Sequence, residues 1–281
     1  MSLSANWMWP CRNPGEDARL YQAVQAASDF AIALGINIPT GKDSLSMTQK
    51  YGDKKVYAPG TVIISTVGEV KDVRQIITPV LKADPATEIV YVDFSFDKLK
   101  LGGSSFAQVL NKVGKETPDV KDSGYFVNAF TAIQKLVEAG LVLAGHDISA
   151  GGMITALLEM CFADNRLGLD IDLSFLAEKD IVKLLFAENP GVLMQIRDRD
   201  AKNVAGILDK AGVAYGFIGK PALAGKLALK KDVARWTLDI PSLRDLWYKT
   251  SYLLDRRQSG EEKALERYKL SLIHISEPTR H

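Results

Sequence analysis

Cysteine is nearly missing from these 281 residues. Cys11 and Cys161 are the only two, and neither sits in a metal or redox spacing. That excludes a disulfide framework and makes a reducing cytoplasm the expected setting. A surplus of one charge sign is missing as well: 35 basic against 34 acidic residues leave a formal charge of +1. The chain therefore carries no electrostatic footprint for nucleic acid or an acidic membrane surface. Its apolar runs stop well short of the roughly 18 to 20 residues that a membrane span needs. The opening MSLSANWMWP is neither basic nor followed by an apolar block, unlike a secretory signal. Histidine is rare too. His274 and His281 fall in the terminal stretch LSLIHISEPTRH, which leaves His146 as the only other one. What is present is ordinary for a soluble globular chain, 47% apolar and 25% charged, with length enough for two domains.

Both ends are unusual. Trp7, Met8 and Trp9 form an aromatic run that nothing upstream prepares, as if the chain began inside a domain. In one reading frame, the letters of Leu270–His281 are what a common transposon-based sequencing adapter would encode. The natural sequence is expected to end near Lys269, and residues 270–281 stand outside the fold reasoning.

Between the ends, hydrophobic spacing sets out the elements. Leu20, Val24, Ala27, Ala31 and Leu34 recur at helical intervals, with Glu16 and Asp17 suited to the first turn and Gly35 to the stop. An extended piece INIPTGKDSLSM follows, then a polar turn bearing a glycine, then a β-branched strand TVIISTVGEV over 61–70. KDVRQIIT reads as a short helix, and KADPAT, Lys82 to Thr87, as a linker. Beyond it, strands and helices alternate. The strands are EIVYVDF, LVLAG, LDIDLS, GVLMQIRD and AYGFIG; the helices span about 125–139, 153–162, IVKLLFAE and AKNVAGILDKAG. A hairpin-like pair, KLALKK and RWTLDI, precedes a last helix over about 243–256. The expected class is α/β (α+β), with a boundary near the linker.

Chemistry concentrates in GHDISAGGM, residues 145–153, where a short apolar strand runs into charge, a hydroxyl and two glycines before a long apolar helix. Glycines at the head of a helix let a phosphate approach unpaired N–H groups at the positive end of the dipole. Asp147 suits Mg²⁺, which takes one or two carboxylates and fills its shell with water and phosphate oxygens; Ser149 suits a phosphate. An alternative stands beside this: Asp147 or Ser149 merely caps the helix, and the glycines ease a turn. A second cluster is PTGKDSLSM, Pro39 to Met47. Here Lys42 could serve a phosphate, Asp43 a metal and Ser44 either, or the run is a polar turn. It lacks the paired glycines of a P-loop. LGGSS, 101–105, is a third glycine turn at the head of a helix, FAQVLNKVG, with a plain tight turn as its alternative. Trp7, Trp9 and Phe30 read as core or interface.

In order, LSANWMWPC with GEDARLYQAV, then GINIPTGKDSLSM, LGGSSFAQV and HDISAGGM resemble one family closely: phosphoribosylformylglycinamidine synthase of the large, single-chain type. The match falls on the second half of its synthetase region, from about Ser2 to Lys269. The resemblance implies a two-domain unit of the aminoimidazole ribonucleotide synthetase type. Residues 1–81 would be a partial, truncated N-terminal α/β domain that pairs with its counterpart. Residues 82–240 would be the C-terminal α/β domain, and 241–269 a helix and linker toward a glutaminase domain.

The activity so implied uses ATP, Mg²⁺ and ammonia from glutamine to turn formylglycinamide ribonucleotide into its amidine. ATP phosphorylates the formamide oxygen, and ammonia displaces the phosphate. Asp147 then matches the family's Mg²⁺ ligand and Ser149 its nucleotide contact, while Lys42, Asp43 and Ser44 fall in a loop near the nucleotide. The family's other metal-binding carboxylates, its first synthetase half and its glutaminase nucleophile have no match here; neither Cys11 nor Cys161 corresponds to that cysteine. Alone, this polypeptide is expected to be inactive in the full reaction. The family carries a catalytic and an auxiliary nucleotide site, and which of them Asp147 serves stays open. Competing expectations are another enzyme on the same scaffold (aminoimidazole ribonucleotide synthetase, selenide water dikinase or thiamine-phosphate kinase) and a non-catalytic module that holds a nucleotide.

Overall fold

The opening aromatics belong to a strand. In the computed structural model, which describes residues 1–164 and 166–274, β1 (Ser2–Met8) is the central strand of a small sheet. After it comes α1 (Glu16–Ala33), with Glu16 and Asp17 in its first turn where the dipole favours them. β2 (Asn37–Ser44) pairs with β1 in parallel, and β5 (Thr61–Val67) pairs with it in antiparallel, giving the order β2-β1-β5. The segment expected to be a polar turn is instead a hairpin, β3 (Thr48–Tyr51) against β4 (Lys54–Tyr57). Gly52, at φ 60°, opens its two-residue turn, the position where a hairpin of this length asks for glycine.

Residues 71–78, expected as a helix, form none. Asp72 takes the Arg74 backbone N–H at 3.0 Å and its guanidinium at 2.9 Å, a local turn that competes with helix. Pro79 also biases the residue before it away from helical geometry. The chain divides into two units between Arg74 and Gln75, upstream of the expected boundary after Leu81. The connecting residues attach to the second unit through backbone hydrogen bonds, Gly145 N–H to Thr78 O and Leu81 N–H to Met160 O, both at 3.0 Å.

The second unit is built on β6 (Thr87–Asp93), β7 (Val142–Ile148), β8 (Gly168–Asp172), β9 (Gly191–Arg197), β10 (Tyr215–Ala222), β11 (Lys226–Lys231) and β12 (Ala234–Asp239). They form one sheet in the order β12-β11-β8-β10-β6-β9-β7, with β7 on the rim. Only β8 and β11 run parallel. The helices are α2 (Ser105–Val109), α3 (Ser123–Glu138), α4 (Gly152–Cys161), α5 (Ile181–Phe186), α6 (Ala201–Ala211), α7 (Ile240–Ser259) and α8 (Glu261–His274).

Strand alternation sends side chains to both faces of this sheet, and a separate core forms on each. Ile89 and Leu193 join Met153, Leu157 and Leu184 of α4 and α5. Val90, Val92, Met194 and Ile196 join Ala132, Leu136, Val204 and Leu208 of α3 and α6. α4 is buried along most of its length, including Gly152, Met153, Ile154, Ala156, Leu157, Met160 and Cys161, as expected of a helix apolar nearly all round.

Of the helix and linker expected over 241–269, the helix is present as α7, and the part expected as a linker is a second helix, α8. α7 ends at Gly260 (φ 85°), and α8 folds back so that Arg267 grips Asp255 with two hydrogen bonds, at 2.6 and 2.8 Å. The adapter reading of 270–281 falls on α8 as far as His274 and lies outside the described residues beyond it. Among the described residues no helix is long and apolar enough to cross a membrane.

Candidate functional site

Asp147 sits at the end of β7, paired only through β9, where it lies opposite Val192. Its neighbours Ile148 and Ala144 are buried against α4; alternation turns Asp147 the other way, and its side chain is 74% exposed. Among the described residues no arginine ion-pairs with it, and the His146 ring is its neighbour, with Nδ1 at 3.5 Å. Ser149 is exposed as well.

The capping alternative fails. The residue capping α4 is Gly151, and neither Asp147 nor Ser149 makes a side-chain capping bond to the helix. The phosphate reading of the glycines needs correcting too. Gly151 and Gly152 have φ of 90° and 75°. A Cβ on Gly151 would meet Thr155 Oγ1 at 2.2 Å, and one on Gly152 would meet the Leu185 carbonyl at 2.6 Å. Packing against α4 and α5 is therefore enough to require both glycines. Their amides are occupied: Gly152 N–H donates to Ser149 O at 3.0 Å, and Gly151 N–H donates to Glu188 Oε1 at 2.8 Å.

His146 braces the turn from the other side. Its Nδ1 lies 2.7 Å from the Asp147 carbonyl, and its Nε2 lies 2.8 Å from Glu159 Oε2 on α4. Trp247 of α7 donates its indole N–H to the other Glu159 oxygen at 3.1 Å. Strand tip, helix and C-terminal helix are thus tied by one carboxylate, and both nitrogens of His146 are engaged.

LGGSS is a true helix head, though α2 is shorter than the expected FAQVLNKVG helix. Ser104 Oγ caps it by accepting the Ala107 N–H at 3.2 Å. Gly102 lies against the Glu116 carbonyl, 2.4 Å from where a Cβ would stand. Glu188 joins this turn to the other one, because the same Oε1 that takes Gly151 also takes the Ser105 N–H at 2.7 Å. Asn189, 2% exposed, carries on the stitching: it accepts the Lys100 N–H at 3.2 Å and donates to Ser95 Oγ at 3.3 Å. Glu188 falls at the end of the expected helix IVKLLFAE and Asn189 between that helix and the next expected strand, so neither stood out in the sequence. A polar pair ahead of proline is turn composition, and that was the available signal.

Beside these turns lies a cleft of about 570 Å³, with Tyr91, Asp93, Leu99, Ile148, Met153 and Asn189 among its walls. Asp147 and Ser149 are not part of its lining. Burial pushes the Tyr91 hydroxyl far up, and the nearby Asp93 charge adds to this, so the phenol stays neutral. Cys161 is buried in α4 and its thiol is pushed up to about 12 by burial, which makes it a packing residue rather than a nucleophile.

In the first unit, GKDS is part of β2 and not a turn. Gly41 is there because its Cα faces the Ala5 carbonyl of β1, 2.1 Å from where a Cβ would stand. Lys42 donates to Ser44 Oγ on one face of the strand. Asp43, opposite Trp7 in register, faces the other way. Lys42 and Ser44 come together; Asp43 does not join them.

Residues 1–69 match the family described as the FGAR-AT PurM_N-like domain. Residues 89–229 match the family of AIR synthase related proteins, in its C-terminal domain. Human phosphoribosylformylglycinamidine synthase is 36% identical over 264 residues, which is 92% of this chain and 20% of that protein. Among solved structures, T. maritima PurL complexed with FGAR superposes with a TM-score of 0.63 at 14% identity, over 87% of this chain and 39% of that one. T. maritima PurL complexed with ATP gives 0.62 at 14%, over 87% and 37%. E. coli HypE, a hydrogenase maturation protein, gives 0.59 at 18%, over 85% and 73%. The chain thus spans about a fifth of the human relative, and the solved structures share its fold. The chain belongs to the AIR synthase related family, and along most of its length it is similar to a phosphoribosylformylglycinamidine synthase.

Proposed function

We propose that this chain supplies part of an ATP–Mg²⁺ site in a cytoplasmic phosphoribosylformylglycinamidine synthase, an amidoligase of purine biosynthesis. The proposed reaction takes formylglycinamide ribonucleotide, ATP and glutamine to formylglycinamidine ribonucleotide, ADP, phosphate and glutamate. ATP phosphorylates the formamide oxygen; ammonia attacks the activated carbon, and inorganic phosphate leaves. Glutamine hydrolysis and the first synthetase half belong to other parts of that enzyme.

One observation carries the reading: Asp147, an exposed carboxylate with no capping duty, stands on a strand tip fixed by a buried helix. Its chemistry suits Mg²⁺ as a single ligand, with phosphate oxygens and water filling the other positions. Among the described residues no three His, Cys, Asp or Glu side chains gather into a metal cluster, so Asp147 enters as that single ligand. When bound, the ion would neutralise charge on the phosphoryl oxygens. Ser149 would donate its hydroxyl to a phosphate oxygen. In the first unit, Lys42 and Ser44 share a face and can serve one phosphate, whereas Asp43 would need a different ligand. His146 braces the backbone of Asp147 through Nδ1 and reaches Glu159 through Nε2. A second reading is that the nucleotide is held for structure and not turned over, consistent with Asp147 being a lone carboxylate at the turn.

Calorimetry of ADP binding with and without Mg²⁺ tests the metal role. Asp147→Asn is expected to weaken Mg-dependent binding by at least about tenfold, or about 1.4 kcal/mol. An unchanged dissociation constant retires it. Binding without ammonia-driven ATP hydrolysis in the intact enzyme would favour the second reading.

A further inference from the structure

We propose that Glu188 is the positioning residue of this site, a carboxylate that locks the two glycine turns into one surface. The proposal rests on the nucleotide reading of the Asp147–Ser149 turn. Ser105 and Gly151 are far apart in sequence, yet each sends its backbone N–H to the same oxygen, Oε1, at 2.7 and 2.8 Å. Ser105 is the first residue of α2, and Gly151 caps α4. Both amides belong to helix starts, which have no partner within their own helix. Hydrogen bonds to an ionised acceptor are about twice as strong as neutral ones, so a single carboxylate can hold two such heads together.

The neighbouring residue extends the lock. Asn189, buried beside Glu188, fixes the loop leading into LGGSS through the Lys100 N–H and the Lys98 carbonyl. Gly152 cannot slide, because its Cα rests on the backbone of Leu185 and Phe186 just ahead of Glu188. The segment 185–189 thus presses on the head of α4 through backbone contact and pulls on it through one carboxylate. Ser149 lies between Asp147 and that anchored amide. Releasing Gly151 frees the turn while leaving β7 and the buried face of α4 in place.

Glu188→Ala removes the oxygen that accepts both hydrogen bonds. Glu188→Gln keeps one oxygen at the same reach without the charge. Two readouts decide the matter. In hydrogen exchange, the Ser105 and Gly151 amides should lose protection together in the Ala variant and keep most of it in the Gln variant. In calorimetry with ADP and Mg²⁺, the Ala variant should bind about tenfold more weakly and the Gln variant within about threefold of wild type, the scale of one charge-assisted bond pair.

Unchanged exchange at either amide in Glu188→Ala overturns the clamp. Lost protection with unchanged ADP affinity in Glu188→Ala overturns the positioning role and leaves a purely structural one. The nucleotide reading fails separately: if Asp147→Asn leaves ADP binding intact, Asp147 holds no metal, whatever the exchange shows. If the wild-type chain binds no ADP at all, the positioning role falls with the site.

Discussion

At the scale of single residues, Gly152 shows how position decides a glycine's worth. It combines a left-handed backbone with a carbonyl 2.6 Å from its missing Cβ. Gly140, after α3, is also left-handed (φ 68°) but has nothing within 4 Å. Gly140→Ala should cost about 1 kcal/mol in backbone strain, and Gly152→Ala about 2 kcal/mol or more, because the Leu185–Phe186 backbone must also move. Urea unfolding of the two variants checks this; equal losses would mean that the close approach costs nothing. Part of the candidate site was visible in the letters. A carboxylate and a hydroxyl after an apolar strand had to end up at a strand tip, and Asp147 and Ser149 are exposed there. Two glycines before an apolar run announced a helix head. Which group would occupy the Gly151 amide was not legible, because Glu188 comes from a segment 37 residues later and contributes through its place in the fold.

Elements were legible where hydrophobic period was strong and unbroken. α4, apolar on nearly every side, and the β11–β12 pair stand where spacing put them. Elements set by local polar contacts or by distant partners were not. The aromatic opening gains its meaning as a strand only from β2 and β5, which lie well downstream. KDVRQIIT has helical spacing, yet the Asp72–Arg74 turn and Pro79 prevail. The order of the sheet was hidden as well, with β8 paired in parallel to β11 and antiparallel to β10.

That parallel pair carries a pH test. Lys230 lies beside Asp172 in register and bonds its carboxylate, while Ser174 N–H donates to it at 2.9 Å. The Lys230 bond, helped by Ser174, holds Asp172 down to about 2. A carboxyl depressed on folding stabilises above its unfolded value, near 3.8, and the gain fades as pH falls through its folded value. The pair is partly exposed, so after screening the gain is at most about 1 kcal/mol. Asp172→Asn should therefore lower stability at pH 7 and converge with wild type between pH 4 and 2. Chemical denaturation across that range is the measurement; a constant gap would rule out the ion pair as its source.

The whole molecule is uneven in what it covers. The second unit buries apolar side chains on both faces of its sheet. In the first unit, β5 is an edge strand with Ile63 53% and Val67 72% exposed. Apolar edges of this kind recruit other strands, so the isolated chain should associate as its concentration rises. Ile63→Lys should reduce light scattering with little change in melting temperature; unchanged scattering would move the sticky surface elsewhere.

The connector attached to the second unit has one further consequence. Thr78 holds Gly145 on β7 and Leu81 holds Met160 on α4, so the short tether leaving Arg74 is sewn to the strand and the helix that flank Asp147. β7 is the sheet's rim, with a neighbouring strand on one side alone. Thr78 thus occupies a backbone N–H of that rim strand, which leaves less of the segment bearing Asp147 open to pairing with a foreign strand.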